Sequence, residues 1–186
     1  MLNADTIVFY ASNPAWSAPG TPSYHYLRAK EAGVKFITVD PIYTASAQML
    51  DAYWIPIRTG TDTAFMLGVA SEMLRLDKEE GDVIDWDFLD KYTVGFDADH
   101  KPDDLKEDVN FRDYVEGVYD GQPKTAEWAS NICGVPVEQI TYFAREIGKT
   151  RNVWMLHNFA AARCNGSENV PQLFMTLGAM GGHFGK

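Results

Sequence analysis

The chain has 186 residues, of which 46% are hydrophobic and 13% aromatic, enough to bury one substantial core. Sixteen basic against twenty-six acidic side chains leave a net charge of -10, which repels a nucleic-acid backbone or an anionic lipid surface, so neither is expected as a partner. No apolar run approaches the roughly 20 residues that a helix needs to cross a bilayer, and no basic-then-apolar leader precedes the first apolar run.

Taken in chain order, Met1-Leu2-Asn3-Ala4-Asp5 runs almost at once into Ile7-Val8-Phe9-Tyr10, and the far end, Gly181-Gly182-His183-Phe184-Gly185-Lys186, reads as a loop leading onward. More protein is therefore expected on both sides. Short apolar runs rich in β-branched and aromatic residues predict strands at Thr6–Tyr10, Lys35–Val39, Tyr53–Ile57 and Asn152–Leu156, each buried on both faces. Between them, Thr21–Ala32 has helical spacing and stops at Gly33, while Phe65, Val69, Met73 and Leu76 form an i, i+4 stripe. Pro136 is placed as a first-turn proline before Val137, Ile140, Ala144 and Ile147, and Val170, Leu173, Phe174, Leu177 and Met180 make a last stripe. Alternation of this kind predicts an α/β fold: one three-layer, Rossmann-like domain over residues 1–186, with helices on both faces of a parallel sheet. The alternation breaks between Asp77 and Lys124, where Asp97 to Asp120 carries nine acids against three bases. This segment (77–124) predicts an acidic, partly helical insertion anchored by Trp86, Phe88, Leu89, Phe111, Tyr114 and Val115.

In open α/β sheets ligands bind beyond the carboxyl ends of the strands, which directs attention to three turns. These are Ala11-Ser12-Asn13-Pro14, Asp40-Pro41-Ile42-Tyr43-Thr44 and Arg58-Thr59-Gly60-Thr61-Asp62. Asp40 stands where a nucleotide-binding fold keeps the acid that accepts from ribose hydroxyls, or it is a plain turn residue before proline. The expected G-x-G-x-x-G is missing, with Asn13 and Pro14 in its place, which weighs against a nicotinamide-dependent dehydrogenase. Thr61 or Asp62 is open to simple helix capping. Yet Asp40 and Asp62 both fall at the ends of adjacent predicted strands and face one crevice. A carboxylate there can accept both the N1–H and N2–H of a guanine, a donor pair that adenine lacks.

Other constellations carry less. Asp97-Ala98-Asp99-His100-Lys101-Pro102-Asp103 fails as a calcium loop, with proline where glycine is needed and Asp108 at the twelfth place. Cys133 and Cys164 are too few for a metal cluster or a disulfide framework and read as two buried small hydrophobes. His25, His100, His157 and His183 show no ligand spacing and read as surface or satisfied polar residues. A non-catalytic interaction module built on the acidic excursion is the remaining alternative.

Together, Asn13-Pro14, Val39-Asp40-Pro41 with Tyr43-Thr44 and Ala47, and Trp54-Ile55-Pro56-Ile57-Arg58-Thr59-Gly60-Thr61-Asp62 resemble, in order and spacing, the molybdopterin-guanine-dinucleotide oxidoreductases. Phe88-Leu89-Asp90-Lys91-Tyr92, Val94-Gly95-Phe96, Lys124-Thr125-Ala126-Glu127-Trp128-Ala129 and Ala144-Arg145-Glu146-Ile147 are most similar to the catalytic subunits of the dimethyl sulfoxide reductase branch. The resemblance implies a domain gripping the guanosine end of one molybdopterin guanine dinucleotide, two of which chelate molybdenum in the parent enzyme. It implies that Asn13 and Pro14 border the cofactor, Asp40 with Pro41 and Tyr43 approaches the ribose or base, and Arg58, Gly60 and Thr61 frame Asp62 on the guanine edge. Arg163 falls near the reactive part of the site. The metal ligand and iron–sulfur cysteines would lie upstream, so the isolated chain is expected to be inactive and to hold no cofactor. The resemblance also implies an iron–sulfur electron-transfer subunit, a membrane anchor and a parent often exported in folded form. Three departures stand out: Thr59 replaces a usual proline, Ile42 replaces a frequent arginine, and Phe159 to Ala162 lacks a common glycine-proline-glutamine pattern.

Overall fold

A computed structural model of the chain describes every residue except 19, 103, 105–108 and 186, so Asp103 and Asp108 of the calcium-loop reading and the final lysine lie outside the described residues. The first strand, β1 (Thr6–Tyr10), is followed by α1 (Pro14–Ser17), α2 (Thr21–Glu31), β2 (Lys35–Val39), α3 (Ala45–Leu50) and β3 (Tyr53–Ile55). Next come α4 (Asp62–Glu80), α5 (Trp86–Tyr92), α6 (Phe111–Glu116), α7 (Ala126–Cys133) and α8 (Val137–Glu146). The chain closes with β4 (Val153–His157), a 3-10 turn over Ala161–Arg163, and α9 (Val170–Met180).

All pairings in the sheet are parallel and the strand order is β3-β2-β1-β4. The period of two along each strand sorts side chains to opposite faces. Val8, Tyr10, Ile37, Val39 and Ile55 pack with α4, α7, α8 and α9 on one face. Ile7, Phe9 and Phe36 meet Tyr26, Ala29, Ala47 and Leu50 from α2 and α3 on the other. This is the expected three-layer α/β arrangement, with every residue of β1 buried.

Strand limits differ by small amounts from the sequence expectation. β3 ends at Ile55, paired with Val39, because Pro56 has no N–H to continue a ladder. β4 is shifted one residue on and ends at His157, opposite Tyr10. Pro136 is the residue capping α8, one place before its first turn. The α4 stripe is fully buried at Phe65, Val69, Met73 and Leu76. Its Gly68 lies against Ala129 of α7, where a Cβ would overlap that side chain, so the two helices approach by their smallest residues.

Helix α4 continues through Glu80, three residues beyond the point where the regular alternation was expected to break. Its Asp77 then organises the exit. One carboxylate oxygen accepts from the N–H groups of Val83 and Ile84, both at 2.9 Å, and the other accepts from the Trp86 indole at 2.8 Å. Two short helices follow, as the aromatic anchors predicted, with Trp86, Phe96 and Phe111 in successive ring contact. Lys124 returns the chain to the body, buried between the Tyr114 and Trp128 rings and bonded to Asp120 at 2.7 Å. Among the described residues no helix is long and apolar enough to cross a membrane.

Candidate functional site at the carboxyl edge

The strand order places the chain reversal between β1 and β4: successive strands run outward from β1 through β2 to β3, and the next is added on the other side of β1. Loops leaving β1 and β4 therefore diverge to opposite faces and open a crevice at their carboxyl ends. Tyr10 and His157 stand side by side at its base, paired in register, with rings stacked at 5.9 Å.

The turn after β1 lacks glycine, yet Ala11 takes the left-handed conformation at φ 49°. Non-glycine residues rarely sit there, and such positions gather at ligand sites. Asn13 then faces the second turn. Its side-chain oxygen accepts from the Ser46 hydroxyl at 2.7 Å and the Ser46 N–H at 3.2 Å, while that hydroxyl accepts from the Ala15 N–H at 3.0 Å. Ser46, fully buried at the start of α3, thus locks the first two turns together. Pro14 is buried as the first residue of α1.

Asp40 takes the turn-residue role open to it. Its carboxylate accepts from the Ile42 N–H at 3.1 Å as a turn residue, and it stays half-buried at the strand end. Its carbonyl accepts from the Trp54 indole at 2.9 Å, and Tyr43 meets that indole edge-on. Pro41, Ile42 and Tyr43 are exposed. In the third turn, Thr61 closes back on the Arg58 carbonyl through its hydroxyl at 2.7 Å, with Gly60 at φ 79° making the reversal possible. Thr61 gives α4 no side-chain cap. The exposed Arg58 guanidinium donates to the carbonyls of Asn131 at 3.4 Å and Ile132 at 3.3 Å, at the negative end of α7.

Asp62 is the centre of the arrangement. It is only 7% exposed, and its carboxylate accepts from the Tyr10 hydroxyl at 2.9 Å. Burial pushes its carboxyl above the usual range, although the Tyr10 hydrogen bond, the N–H groups of Asp62 and Gly60, and His157 pull the other way. Asp40 is likewise raised, first by burial and further by the charge of Asp62, against the Ile42 N–H. Among the described residues neither acid takes part in an ion pair. His157 departs from the satisfied-residue expectation, since its Nε2 is buried without a hydrogen bond, and burial lowers its pKa despite Asp62. Arg163 is exposed on the turn that follows β4, at the same edge of the sheet.

Tyr10, Ser46 and His157 are site residues that spacing alone did not single out. Tyr10 and His157 are marked in the sequence only by their place at a strand end, and Ser46 only by its place in the first turn of α3. Elsewhere, Cys133 is buried but Cys164 only half so, which corrects half of that expectation. The Asp97 carboxylate is consumed by the N–H groups of Asp99 and His100 and the His100 ring, and no metal-binding group of acids, histidines or cysteines occurs among the described residues. A groove of about 370 Å³ opens between α4, α5, α6 and α9, lined by Leu67, Leu89, Phe96 and Leu173, but no acid, histidine or cation lines it.

A parallel sheet of this order, with carboxylates and an imidazole nitrogen lacking a hydrogen bond at its reversal point, is an α/β domain whose candidate site lies at the carboxyl edge. The molybdopterin oxidoreductase family model matches residues 1–165, and the chain belongs to that family. Over 98% of its length the chain is 34% identical to trimethylamine-N-oxide reductase of Haemophilus influenzae, of which it spans 21%. It is 33% identical to dimethyl sulfoxide reductase DmsA of the same organism and 32% identical to DmsA of Escherichia coli, spanning 23% and 22% of them. Acetylene hydratase from Pelobacter acetylenicus shares the fold, with a TM-score of 0.73 at 20% identity over 98% of this chain and 22% of that one. The chain thus corresponds to about a fifth of the length of the relatives it matches.

Proposed function

We propose that this domain holds the guanosine end of a molybdopterin guanine dinucleotide in a larger molybdenum reductase acting on dimethyl sulfoxide or a similar S- or N-oxide. The observation that carries the reading is Asp62, a buried carboxylate with no cation, at the reversal point of the sheet. A buried charge with no cation beside it is costly even with the Tyr10 hydroxyl and the N–H groups of Asp62 and Gly60 bonded to it, and two further N–H donors from a ligand offset that cost. Asp62 accepts from the guanine edge. Asp40 serves the ribose or base, and Asn13, Pro14, Pro41, Tyr43, Gly60 and Thr61 shape the walls. The orphaned Nε2 of His157 supports the fit of a polar ligand. Arg58 fixes the third turn to α7, so its contribution is to place Asp62, and Arg163 reaches toward the deeper part of the site.

When bound, the molybdenum–pterin group supplies oxygen-atom transfer and redox chemistry, and this domain contributes binding and orientation. Exposed Trp16, Ile42 and Phe159 around the edge, 79%, 65% and 76% accessible, fit burial beneath cofactor and the remaining domains of the subunit. An iron–sulfur subunit and a membrane anchor belong to the same proposal, as does export of the parent. The 186-residue chain alone is inactive on this reading, because the reaction needs the rest of the subunit.

The test is a chemical-shift titration of the chain with guanosine and adenosine diphosphates. Guanosine diphosphate should bind at least about tenfold more tightly, since hydrogen bonds to charged groups contribute about 1.5–3 kcal/mol each. Asp62→Asn should erase most of that preference, and Asp40→Asn should weaken both nucleotides alike. Equal binding of the two, unaltered by Asp62→Asn, would return Asp62 to a plain helix-terminal residue.

A further inference from the structure

We propose that Tyr10 is the positioning residue that makes this site choose guanine: its hydroxyl holds the Asp62 carboxylate as a fixed acceptor. The inference rests on the reading of Asp62 given above. Tyr10 ends β1, is 1% exposed, and its ring is held by Phe65 at 6.3 Å, His157 at 5.9 Å and Phe174 at 5.7 Å. A ring caged in this way has one direction for its hydroxyl, and that direction ends on Asp62 Oδ1 at 2.9 Å. A buried phenol needs a partner for its single proton, and Tyr10 gives it to the carboxylate.

The consequence for base choice is chemical. An ionised carboxylate only accepts, so it matches the paired N1–H and N2–H of guanine. A protonated carboxyl offers one donor and one acceptor, which is the pattern complementary to the N1 and N6–H of adenine. Burial pushes Asp62 toward the protonated form, and the Tyr10 hydrogen bond opposes it. Tyr10 itself stays a donor, because burial first and the Asp62 charge second raise its own pKa well above the ordinary value. The other titratable groups bearing on Asp62 are His157 at the end of β4, Asp40 after β2 and Cys133 at the end of α7. None of these donates a hydrogen bond to the Asp62 carboxylate in the structure, which leaves Tyr10 as the side chain that sets its orientation.

Tyr10→Phe keeps the ring and removes only the hydroxyl. In the 186-residue chain at neutral pH, the preference for guanosine over adenosine diphosphate should fall about fivefold or more, with the melting temperature little changed. The carboxyl carbon of Asp62, followed by NMR, should titrate about one pH unit higher than in the parent chain. Replacing Tyr10 by 3-fluorotyrosine, a stronger donor of nearly the same size, should shift that titration downward. If Tyr10→Phe leaves both the preference and the titration unchanged while Asp62→Asn still abolishes the preference, Tyr10 is only a core ring and the inference fails alone. If Asp62→Asn leaves the preference intact, the base-reading proposal has failed, and the specificity role of Tyr10 falls with it.

Discussion

The two ends of the sheet treat their acids in opposite ways. At the amino end, Glu146 is 6% exposed but accepts from Thr6 at 3.3 Å and has Arg151 at 3.8 Å and Lys35 at 3.9 Å. Asp77, where α4 returns to that end, is enclosed by three N–H donors, and Glu80 makes a two-pronged pair with Arg145 at 2.6 Å for each oxygen. At the carboxyl end, Asp40 and Asp62 have no cation and are raised by burial. Acids paired with cations or held low by their donors hold a fold together, whereas acids that stay raised with no cation at the strand ends point to a ligand that completes them.

The contrast should appear first in stability. Asp77→Ala strips three donors of their acceptor and should cost about 2–4 kcal/mol in denaturant unfolding, loosening the exit toward α5. Here burial would raise the carboxyl, but the N–H of Ile84, the Trp86 indole, the N–H of Val83 and Lys149 outweigh it and hold the group low. A depressed acid adds stability that is complete above its unfolded value of 3.8 and fades as pH drops through the folded one. The cost of Asp77→Ala should therefore shrink below about pH 4. An unchanged cost at acid pH would show that Asp77 acts by packing and not by charge.

Glu146→Gln should be milder, about 1–2 kcal/mol, because Lys35 and Arg151 are 59% and 43% exposed and remain hydrated without it. Asp62→Asn should have the opposite sign. It removes a buried charge and keeps an acceptor for Tyr10, so the chain should gain about 1 kcal/mol at neutral pH while losing base preference. A raised acid costs stability only where it is ionised. That gain should be full above the folded pKa and vanish as pH falls toward 3.8, the mirror image of Asp77. Thermal melts from pH 4 to 8 would check both signs, and a destabilised Asp62→Asn would erase the proposed difference between the two ends.

Local pattern was enough to read much of this molecule. Buried β-branched runs marked β1 and β2 to the residue, the α4 stripe marked the central helix, and alternation implied a parallel sheet. From that sheet followed the rule that turns after the strands carry the site, which brought Asn13, Asp40 and Asp62 forward together with the family resemblance. These features were legible because a period of two or 3.6 and a proline or glycine at an element end are properties of neighbouring residues. What tertiary structure alone decided lies between residues far apart in the chain. Tyr10 meets Asp62 across 52 positions and Asn13 meets Ser46 across 33. Arg58, placed in the third turn by the sequence, donates to carbonyls at the end of α7 more than 70 residues on. His157 lost its place among satisfied polar residues only because β4 pairs beside β1. No spacing encodes such partnerships, since they depend on which strands become neighbours, and strand order is settled by packing the whole chain around one core.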